Sequence, residues 1–508
     1  MSKFLIICIL IGGFFAAAFS IKKPKTNIIF ILADDLGYGE VGFNGQKIIE
    51  TPNIDALAKS GMIFREHYSA APVCAPARCM LLTGQHSGHA YIRGNDEWTS
   101  RGDVWNLKAM NENPKLEGQF PMPDSIFTVA EIFKSSGYVT ALIGKWGLGA
   151  PETESTPNKQ GFDFFYGYNC QRQAHTLYPT HLWKNEERVL LNNKFVDIHQ
   201  KFDPKVDAQD PENYKDFELN DYAPELMHKE ALKFLSEQKN KPFFLLYASP
   251  LPHVPLQAPK KWVEYYQKKL GNEDPYLGGK NNVYYPNRTP KASYAAMISY
   301  LDEQVGDLVK KLKETNQYEN TLIIFTSDNG PSYAGGTQPQ YFKSGGPYQE
   351  QFGRGKGFVY EGGIHVPMIA AWPNVIKQGS ENNHISSFYD FMATVSDLLG
   401  INSRKNDGIS FLPTMLGKKQ KPHEYLYWEF PESGGQQALR MGKWKAVRSN
   451  LHKGVITTEL YNLETDKQES IDLSKQYPEI IRNVEAIFKK EHTKPLNKNF
   501  VIKVLGDL

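Results

Sequence analysis

Four short runs of apolar residues stand out along the chain, and their apolar positions are continuous rather than alternating with polar ones. They cover residues 27–32, 138–143, 241–248 and 321–325. Continuous runs of this length, rich in β-branched and aromatic residues, are typical of strands buried on both faces. The pattern therefore predicts a sheet that is covered on both sides.

The segments between these runs carry the apolar spacing of helices. We predict helices over residues 52–60, 125–136 and 295–312, where apolar side chains recur every three or four positions. Strands alternating with helices favour an α/β fold with a large, mostly parallel sheet between helices. Two polar, irregular stretches, 150–225 and 258–292, are interpreted as long surface loops that shape a substrate cleft.

After about residue 404 the pattern changes to short strands separated by turns. We predict strands over 425–430, 437–440, 444–448 and 459–461, followed by an amphipathic helix over 477–492. Short strands joined by turns favour an antiparallel sheet. We therefore predict a catalytic domain over 21–403 and a smaller C-terminal α+β domain with an antiparallel sheet over 404–508.

The first twenty residues have the composition of a targeting segment. Lys3 precedes an apolar run over 4–18, and small residues near Ser20 suit a cleavage site. The run is short and interrupted by glycine, which favours a secretory signal peptide over a membrane anchor. Too little apolar sequence precedes Cys8 for a lipoprotein signal. We expect a secreted or periplasmic protein with a signal peptide over 1–20 and no stable membrane span.

Charge and cysteine content narrow the function classes. The 508 residues carry a net charge of +2, so the composition gives no reason to expect nucleic acid as a partner. Of the four cysteines, Cys8 leaves with the signal peptide and Cys74 lies in a candidate reactive motif. Cys79 and Cys170 remain, which allows one disulfide but excludes a disulfide scaffold.

Acidic and amide side chains follow two of the predicted buried strands. Asp34 and Asp35 come after the first run, and Asp328 and Asn329 come after the fourth. Such residues often cap helices or form turns. Four oxygen donors at the ends of two strands of one sheet instead favour a site for Ca²⁺ or Mg²⁺.

The stretch over residues 74–84 combines a turn with a candidate helix start. Pro76 suits the first helical turn, and Cys74 stands at the helix N-terminus, where the helix dipole favours anions. Arg78 lies four residues later and returns to the same helix face as Cys74. The alternative to a reactive Cys74 is an ordinary buried cysteine before a proline-initiated helix.

The pattern Cys-x-Pro-x-Arg followed by Leu-Leu-Thr-Gly resembles the sulfatase family, whose fold is alkaline-phosphatase-like. Gly-Lys-Trp around Lys145 and the Glu-Gly-Gly segment after Lys356 extend the resemblance over nearly the whole mature chain. Ala77 stands where the family often has Ser. The resemblance implies sulfate ester hydrolysis, with Cys74 oxidised to Cα-formylglycine by a maturation enzyme.

The resemblance also implies roles for matching residues. Residues that contact or transfer the sulfuryl group are Cys74, Arg78, Lys145 and Lys356, and His253 protonates the departing alcohol. One divalent ion, Ca²⁺ or alternatively Mg²⁺, is held by Asp34, Asp35, Cys74, Asp328 and Asn329. One hydroxyl of the hydrated aldehyde attacks sulfur, and the second lets inorganic sulfate leave.

The chain departs from the family at Gly147, where many sulfatases have a histidine that orients the hydrate. Glycine cannot replace that function, so another group must act. His175 is the first candidate for it, and His89 and His86 are the next. The run over 169–175 resembles bacterial sulfatases that act on sulfated galactose or N-acetylgalactosamine. A sulfated carbohydrate, or an aryl sulfate, is therefore the expected substrate.

Two other functions remain open at this point. A phosphatase or phosphonate monoester hydrolase of the same superfamily would use Thr or Ser as nucleophile and two metals, and the extra His and Asp ligands are not evident here. A non-catalytic sugar-binding homologue is the second alternative, because of Gly147. The state of Cys74 and a comparison of sulfate and phosphate esters distinguish the three.

Overall fold

The computed structural model describes residues 25–203, 205–278 and 284–507, and most of its strands belong to one large sheet. The strands outside the C-terminal region are β1 Asn27–Ala33, β2 Met62–Phe64, β3 His67–Tyr68, β4 Val139–Lys145, β5 Phe164–Tyr168, β6 His181–Lys184, β7 Glu187–Leu190, β8 Phe243–Ala248, β9 Thr321–Ser327, β10 Met368–Ala371, β11 Ser380–Asn382 and β12 Ser386–Ser387. The large sheet has the order β11-β2-β10-β9-β1-β8-β4-β5-β6-β7, and β3 pairs with β12 separately.

Helices cover the sheet and connect its strands. They are α1 Pro52–Ser60, α2 Cys74–Thr83, α3 Leu107–Glu112, α4 Val129–Ser135, α5 Ala223–Glu237, α6 Lys260–Leu270, α7 Pro290–Glu314, α8 Pro339–Phe342, α9 Glu361–Ile364, α10 Asp390–Leu399, α11 Leu412–Met415 and α12 Pro478–Glu491. The predicted helices near 52–60 and 295–312 are present as α1 and α7. The helix predicted over 125–136 begins later, at Val129, because Thr128 and Glu131 form a capping box there.

The five central strands of the large sheet, β9-β1-β8-β4-β5, are parallel. Side chains of β1 alternate between two hydrophobic cores: Phe30 and Leu32 face one, and Ile29 and Ile31 face the other. Helices α2, α4 and α10 cover the first face, and α1, α5, α6 and α7 cover the second. The predicted parallel sheet between helices is confirmed.

The C-terminal region contains a second, smaller sheet. Its strands are β13 Leu426–Phe430, β14 Gln436–Met441, β15 Trp444–Arg448 and β16 Glu459–Asn462. All three pairings are antiparallel, and α12 packs on one face through Val484 and Phe488. The predicted antiparallel sheet with one helix is confirmed, whereas the domain boundary at 404 stays a prediction.

The two stretches interpreted as surface loops hold more structure than expected. The stretch 150–225 contains β5, β6 and β7, which extend the large sheet, and 258–292 contains α6. These strands are only four or five residues long, so they leave a weak pattern. Helix α6 was missed because Tyr266 is its only fully buried residue.

Three further expectations concern the chain ends and the cysteines. The predicted signal peptide over 1–20 lies outside the described residues. Among the helices of the described ranges, none has both the length and the hydrophobicity of a membrane span. Cys74, Cys79 and Cys170 are all buried free thiols, so the disulfide that Cys79 and Cys170 would allow is not formed.

Candidate active site

The candidate site lies at the carboxyl ends of neighbouring parallel strands. Strands β1 and β9 pair with Ala33 opposite Ser327, so Asp34 and Asp328 follow at the same edge of the sheet. Both carboxylates are completely buried. Residues at this edge of an α/β sheet commonly form ligand sites. The parallel pairing of β1 and β9 thus brings Asp34 and Asp35 close to Asp328 and Asn329, as the sequence predicted.

Asp35 has a backbone conformation that is rare for a residue with a side chain. Its φ is +69°, in the left-handed region, and its amide donates to Asp328 Oδ1 at 3.1 Å. The next amide, that of Leu36, donates to Ser327 Oγ at 2.9 Å. These two hydrogen bonds join the ends of β1 and β9. They also give the backbone amides of the strained turn their hydrogen-bond acceptors.

Cys74 is the first residue of α2, which begins after extended Val73. Its Sγ donates to Asp34 Oδ1 at 3.3 Å. One turn later, the Arg78 guanidinium lies 3.3 Å from Asp34 and 2.9 Å from Asp328. Cys74 and Arg78 therefore share the helix face that faces the acidic pairs, as the i, i+4 spacing predicts.

Two lysines contact the carboxylates of Asp34 and Asp35, one from the end of a strand and one from a loop. Lys145 is the last residue of β4, and its Nζ lies 2.6 Å from Asp34 Oδ2. Lys356 comes from an irregular loop, and its Nζ lies 2.7 Å from Asp35 Oδ2. The site is thus lined by cations on both sides of Cys74.

Two histidines, His253 and His175, lie next to each other near Asp35. His253 Nε2 lies 3.7 Å from Asp35 Oδ2, and its Nδ1 lies 2.6 Å from the Val254 carbonyl oxygen. The His175 ring stacks on the His253 ring, with centroids 5.2 Å apart and planes 12° apart. Tyr284, which the sequence did not single out, packs edge-on against both rings. Because Nδ1 is fixed on a carbonyl, Nε2 is the nitrogen that faces the site.

Burial and charge set the protonation states of the site. Burial would raise the pKa of Asp34, but Lys145, His253 and Arg78 outweigh it and hold that pKa well below its usual range. Burial and the nearby charge of Asp34 raise the pKa of Asp328 to about 7. Burial, again with Asp34, raises the pKa of the Cys74 thiol far above its usual value. Unmodified Cys74 is therefore a protonated, unreactive thiol at neutral pH.

The donors present fit a hard divalent cation. Asp34, Asp35, Cys74 and His253 each place a ligand atom so that all four atoms lie within 4.8 Å of one another. Asn329 Nδ2 donates to Asp35 Oδ1 at 2.8 Å, while the buried Asn329 Oδ1 has no hydrogen-bond partner in the described structure. An orphaned amide oxygen beside two carboxylates suits Ca²⁺ or Mg²⁺.

The structure separates the three histidines considered as substitutes at Gly147. His175 reaches the site, but it packs on His253, and among the described residues it forms no hydrogen bond with Cys74. His86 and His89 follow the far end of α2, a ten-residue helix about 15 Å long. His86 contacts Glu491 and His89 contacts Asp407, so the structure favours neither of them for this function.

Gly147 itself borders a polar side chain that sequence reasoning missed. Its φ is +76°, and a Cβ there would lie 3.2 Å from Gln171 Oε1. Gln171 Nε2 donates to Asn95 Oδ1 at 2.9 Å, whereas its buried Oε1 has no partner in the part of the chain described. The signal was available, since Gln171 lies within the 169–175 run that the sequence analysis picked out.

Comparisons with known proteins now decide the family. A family model described as Sulfatase matches residues 26–401. The chain belongs to the sulfatase family. It is therefore a sulfuric ester hydrolase, as the motifs around Cys74 and Lys145 indicated. A second model, described as N-sulphoglucosamine sulphohydrolase, C-terminal, matches residues 352–495.

Relatives of known name agree with this family. The sulfatase is 30% identical over 428 residues to N-acetylgalactosamine-6-sulfatase of Canis lupus familiaris, covering 83% of this chain and 71% of that protein. It is 30% identical over 449 residues to arylsulfatase A of Homo sapiens, covering 85% and 76%. The crystal structure of Ps i-CgsB superposes with a TM-score of 0.71 at 29% identity, covering 93% of this chain and 94% of that one.

Proposed function

We propose that this sulfatase hydrolyses sulfate esters of a carbohydrate and releases inorganic sulfate. The observation that carries the proposal is the setting of Cys74. Its side chain lies at a helix N-terminus among Asp34, Arg78 and two lysines, a setting whose cations and helix dipole suit a tetrahedral anion. Three carboxylates balance three basic side chains there, so a bound divalent cation would leave a net positive site for a sulfate ester.

Cys74 is proposed to be converted to Cα-formylglycine by a maturation enzyme. This modification supplies a hydrated aldehyde, which offers one hydroxyl to accept the sulfuryl group and another to release it. The buried thiol itself, with its raised pKa, cannot do either task. The helix dipole of α2 and the Asp34 carboxylate fix the position of the side chain at residue 74.

Asp34, Asp35, Asp328 and Asn329, together with residue 74, would hold one Ca²⁺, with Mg²⁺ as the alternative. The free Asn329 Oδ1 and the buried carboxylates support this set. The ion would neutralise charge on sulfate oxygens and acidify a hydroxyl bound to it.

The chain's own side chains have separable roles in this proposal. Arg78, Lys145 and Lys356 bind sulfuryl oxygens and stabilise the charge that develops on them. His253 directs Nε2 toward the departing sugar oxygen, and it must bind a second proton there to act as the acid, because Nδ1–H donates to the Val254 carbonyl and burial lowers the pKa of the ring. His175 stacks on His253 and keeps its ring in place, which is a positioning role.

The substrate class rests on the relatives and on the loops around the site. One relative is named for N-acetylgalactosamine 6-sulfate, and Ps i-CgsB was crystallised in complex with k-i-k-neocarrahexaose. With the 169–175 run, these names favour a sulfated galactose or N-acetylgalactosamine. We propose secretion or periplasmic export directed by residues 1–20, which suits a sulfated glycan as substrate.

The test is sulfate release from a panel of monosulfated galactoses and N-acetylgalactosamines. The full chain is co-expressed with a formylglycine-generating enzyme and assayed with Ca²⁺, in parallel with phosphate and phosphonate esters. Mass spectrometry of the peptide containing Cys74 should detect an aldehyde. The Cys74→Ala variant should show no multiple turnover.

Two results would overturn the proposal. A matured enzyme that prefers phosphate or phosphonate esters would support the alternative hydrolase of the same superfamily, whose fold is shared by a phosphonate monoester hydrolase of Agrobacterium radiobacter (TM-score 0.59, 19% identity, covering 93% of this chain and 97% of that one). An unmodified thiol in the native host, without hydrolysis of any ester, would support a non-catalytic sugar-binding protein.

A further inference from the structure

A turn of the C-terminal sheet lies at the edge of the candidate active site. Gln436, the first residue of β14, donates from Nε2 to the Gly357 carbonyl at 2.9 Å and accepts from the Val359 amide at 3.1 Å. In the turn before it, Ser433 lies so close to Gly357 that an added Cβ would be 3.4 Å from Ser433 Oγ. The turn between β13 and β14 therefore packs against the loop that carries Lys356.

Glu432 points from this turn toward the catalytic domain. Its Oε1 accepts a hydrogen bond from the Asn95 amide, and it lies so close to Gly94 that an added Cβ would be 2.6 Å from that oxygen. Glu432 Oε2 has neither a hydrogen bond nor an ion pair among the described residues. One carboxylate oxygen is thus anchored while the other is free to accept.

Asn95 links Glu432 to a second open acceptor. Its side-chain oxygen accepts from Gln171 Nε2 at 2.9 Å. The backbone amide of Gln171 in turn donates to Gln119 Oε1 at 2.9 Å. Gln171 is 5% exposed, and its Oε1 has no partner in the ranges that the structure describes. That oxygen borders the space above Gly147, two residues beyond Lys145.

The two open acceptors therefore lie close to the lysines of the site, since Glu432 belongs to the turn that packs on the Lys356 loop and Gln171 Oε1 borders Gly147, two residues beyond Lys145. A sulfate bound by these lysines would lie next to this edge, so that hydroxyl groups of its sugar face Glu432 and Gln171 while the bridging oxygen faces His253. Carboxylate and amide oxygens accept hydrogen bonds from hydroxyl groups and cannot donate to an anion. The chemistry of this edge suits sugar hydroxyls.

The same edge gathers acidic side chains. Burial, with Glu97 and Asp96 nearby, raises the pKa of Glu432 to about 7, although Lys356 opposes this. Arg172 is committed to Glu97, with which it forms a buried ion pair. The positive charges of the site are thus concentrated where one sulfate binds, and a second anionic group at this edge would meet like charge.

We propose that Glu432, Asn95 and Gln171 form a subsite that binds hydroxyl groups of the sulfated sugar and disfavours a second sulfate or a uronic carboxylate there. This inference rests on the proposed function and makes the substrate class more specific, namely a monosulfated, otherwise neutral sugar residue. It also makes the C-terminal region a contributor to specificity.

The test compares kcat/KM for the best monosulfated sugar with that for p-nitrophenyl sulfate, which has no hydroxyl groups. For Glu432→Gln and Glu432→Ala we expect the loss on the sugar to exceed the loss on the aryl ester by about ten- to hundredfold, the value of a hydrogen bond to a charged group. Glu424→Gln, an exposed acid just before β13, serves as the matched control and should change neither.

Discrimination against a second sulfate provides an independent readout. We expect the matured enzyme to prefer the monosulfated sugar over its disulfated counterpart, and Glu432→Gln to narrow that preference by about tenfold. Equal losses on sugar and aryl esters, or an unchanged preference, would overturn the subsite. Thermal unfolding of each variant separates loss of fold from loss of specificity.

Failure of the proposed function is distinguishable from failure of the subsite. If the matured enzyme hydrolyses no sulfate ester, calorimetric binding of the unsulfated sugar to the enzyme and to Glu432→Gln still decides the question. Weaker binding by the variant supports the subsite, and equal affinity refutes it.

Discussion

At the scale of single residues, the site combines groups that are inert alone. Cys74 is buried and protonated, Asp34 is held ionised by cations, and Asn329 carries an oxygen that has no partner among the residues the structure describes. Among these, a buried amide oxygen without a partner is costly in a folded protein unless a ligand uses it. The residues therefore indicate chemistry more clearly together than any of them does separately.

A first prediction at this scale concerns His253 and the leaving group. In His253→Ala we expect kcat/KM to fall about 10²- to 10⁴-fold on a sugar sulfate, because a sugar alkoxide needs a proton to depart. On p-nitrophenyl sulfate, whose leaving group is a stable anion, the fall should be less than about tenfold. Equal losses on both esters would contradict a proton-donating role.

A second prediction concerns the divalent cation. Ca²⁺ should raise the Tm of the wild-type enzyme, because a ligand at 100 times its Kd stabilises the folded state by about 2.7 kcal/mol. Asn329→Ala removes the orphaned oxygen and should shift the calcium dependence of Tm to higher concentration. Chelation should abolish the calcium-dependent rise in Tm of both proteins. A calcium-independent Tm in the wild type would contradict the metal site.

At the scale of elements, the site depends on the close approach of strands. Gly144 on β4 and Gly167 on β5 have φ of +125° and +155°, and a Cβ on either would lie 1.8 Å from a carbonyl oxygen of the neighbouring strand. Lys145 follows Gly144 directly, so this glycine sets the position of the lysine. The end of β4 thus determines the position of the Lys145 side chain.

Gly144→Ala should therefore destabilise the protein by about 3 kcal/mol or more, measured by chemical or thermal unfolding. The matched control is Gly400→Ala, since Gly400 also has a positive φ of +65° but has nothing within 4 Å of an added Cβ. The control should cost only about 1 kcal/mol. A similar loss of unfolding free energy in both variants would show that the positive φ, rather than contact with the neighbouring strand, causes the destabilisation.

The end of α12 provides a prediction on pH. His492 contacts Glu429 at 2.7 Å and Asp507 at 2.9 Å, and these carboxylates outweigh burial, which acts in the opposite direction, and raise the pKa of His492. A histidine whose pKa rises on folding stabilises the folded state below its unfolded pKa of about 6.5. That stability is lost as the pH rises through the higher folded value.

We therefore expect the difference in unfolding free energy between wild type and His492→Gln to be largest near pH 5.5–6 and to shrink steadily toward pH 9. Urea unfolding at several pH values measures it. His199→Gln, at an exposed position, is the control and should show no such trend. A difference that grows with pH would contradict the charge on His492.

At the scale of the whole molecule, the C-terminal sheet and the catalytic α/β region share one core. Trp428 and Phe430 of β13 belong to the hydrophobic core that also covers β1, and the Trp428 indole donates to the Ser69 carbonyl at 2.8 Å. Arg93 forms a buried pair with Glu429 at 2.9 Å. The two parts therefore stabilise each other, and the turn carrying Glu432 is held rigidly at the site.

A buried charge pair across this junction gives the last prediction. Lys445 Nζ lies 2.8 Å from Glu361 Oε1, and both side chains are at most 1% exposed. Lys445→Met should destabilise the protein by about 3–5 kcal/mol, because it leaves a buried charge without its partner. Glu361→Gln with Lys445→Met should cost less than Lys445→Met alone, while the exposed Lys443→Met should stay within about 0.5 kcal/mol of wild type.

Sequence patterns predicted the elements with continuous or periodic hydrophobicity. β1, β8, β9, α1 and α7 were identified because their buried positions are set locally by strand or helix periodicity. Strands β5, β6 and β7 were missed, since each is short and depends on pairing with a neighbour. Local sequence carries little information on such long-range pairing.

What the sequence determined alone was the family, the parallel sheet and the residues that contact Asp34 and Asp35, because motifs and periodicity are local properties. Only the tertiary structure decided that His175 packs on His253, that His86 and His89 lie beyond the far end of α2, and that Glu432 accepts from the Asn95 amide. Those outcomes depend on how distant segments pack, and side-chain packing is fixed only when the whole core has formed.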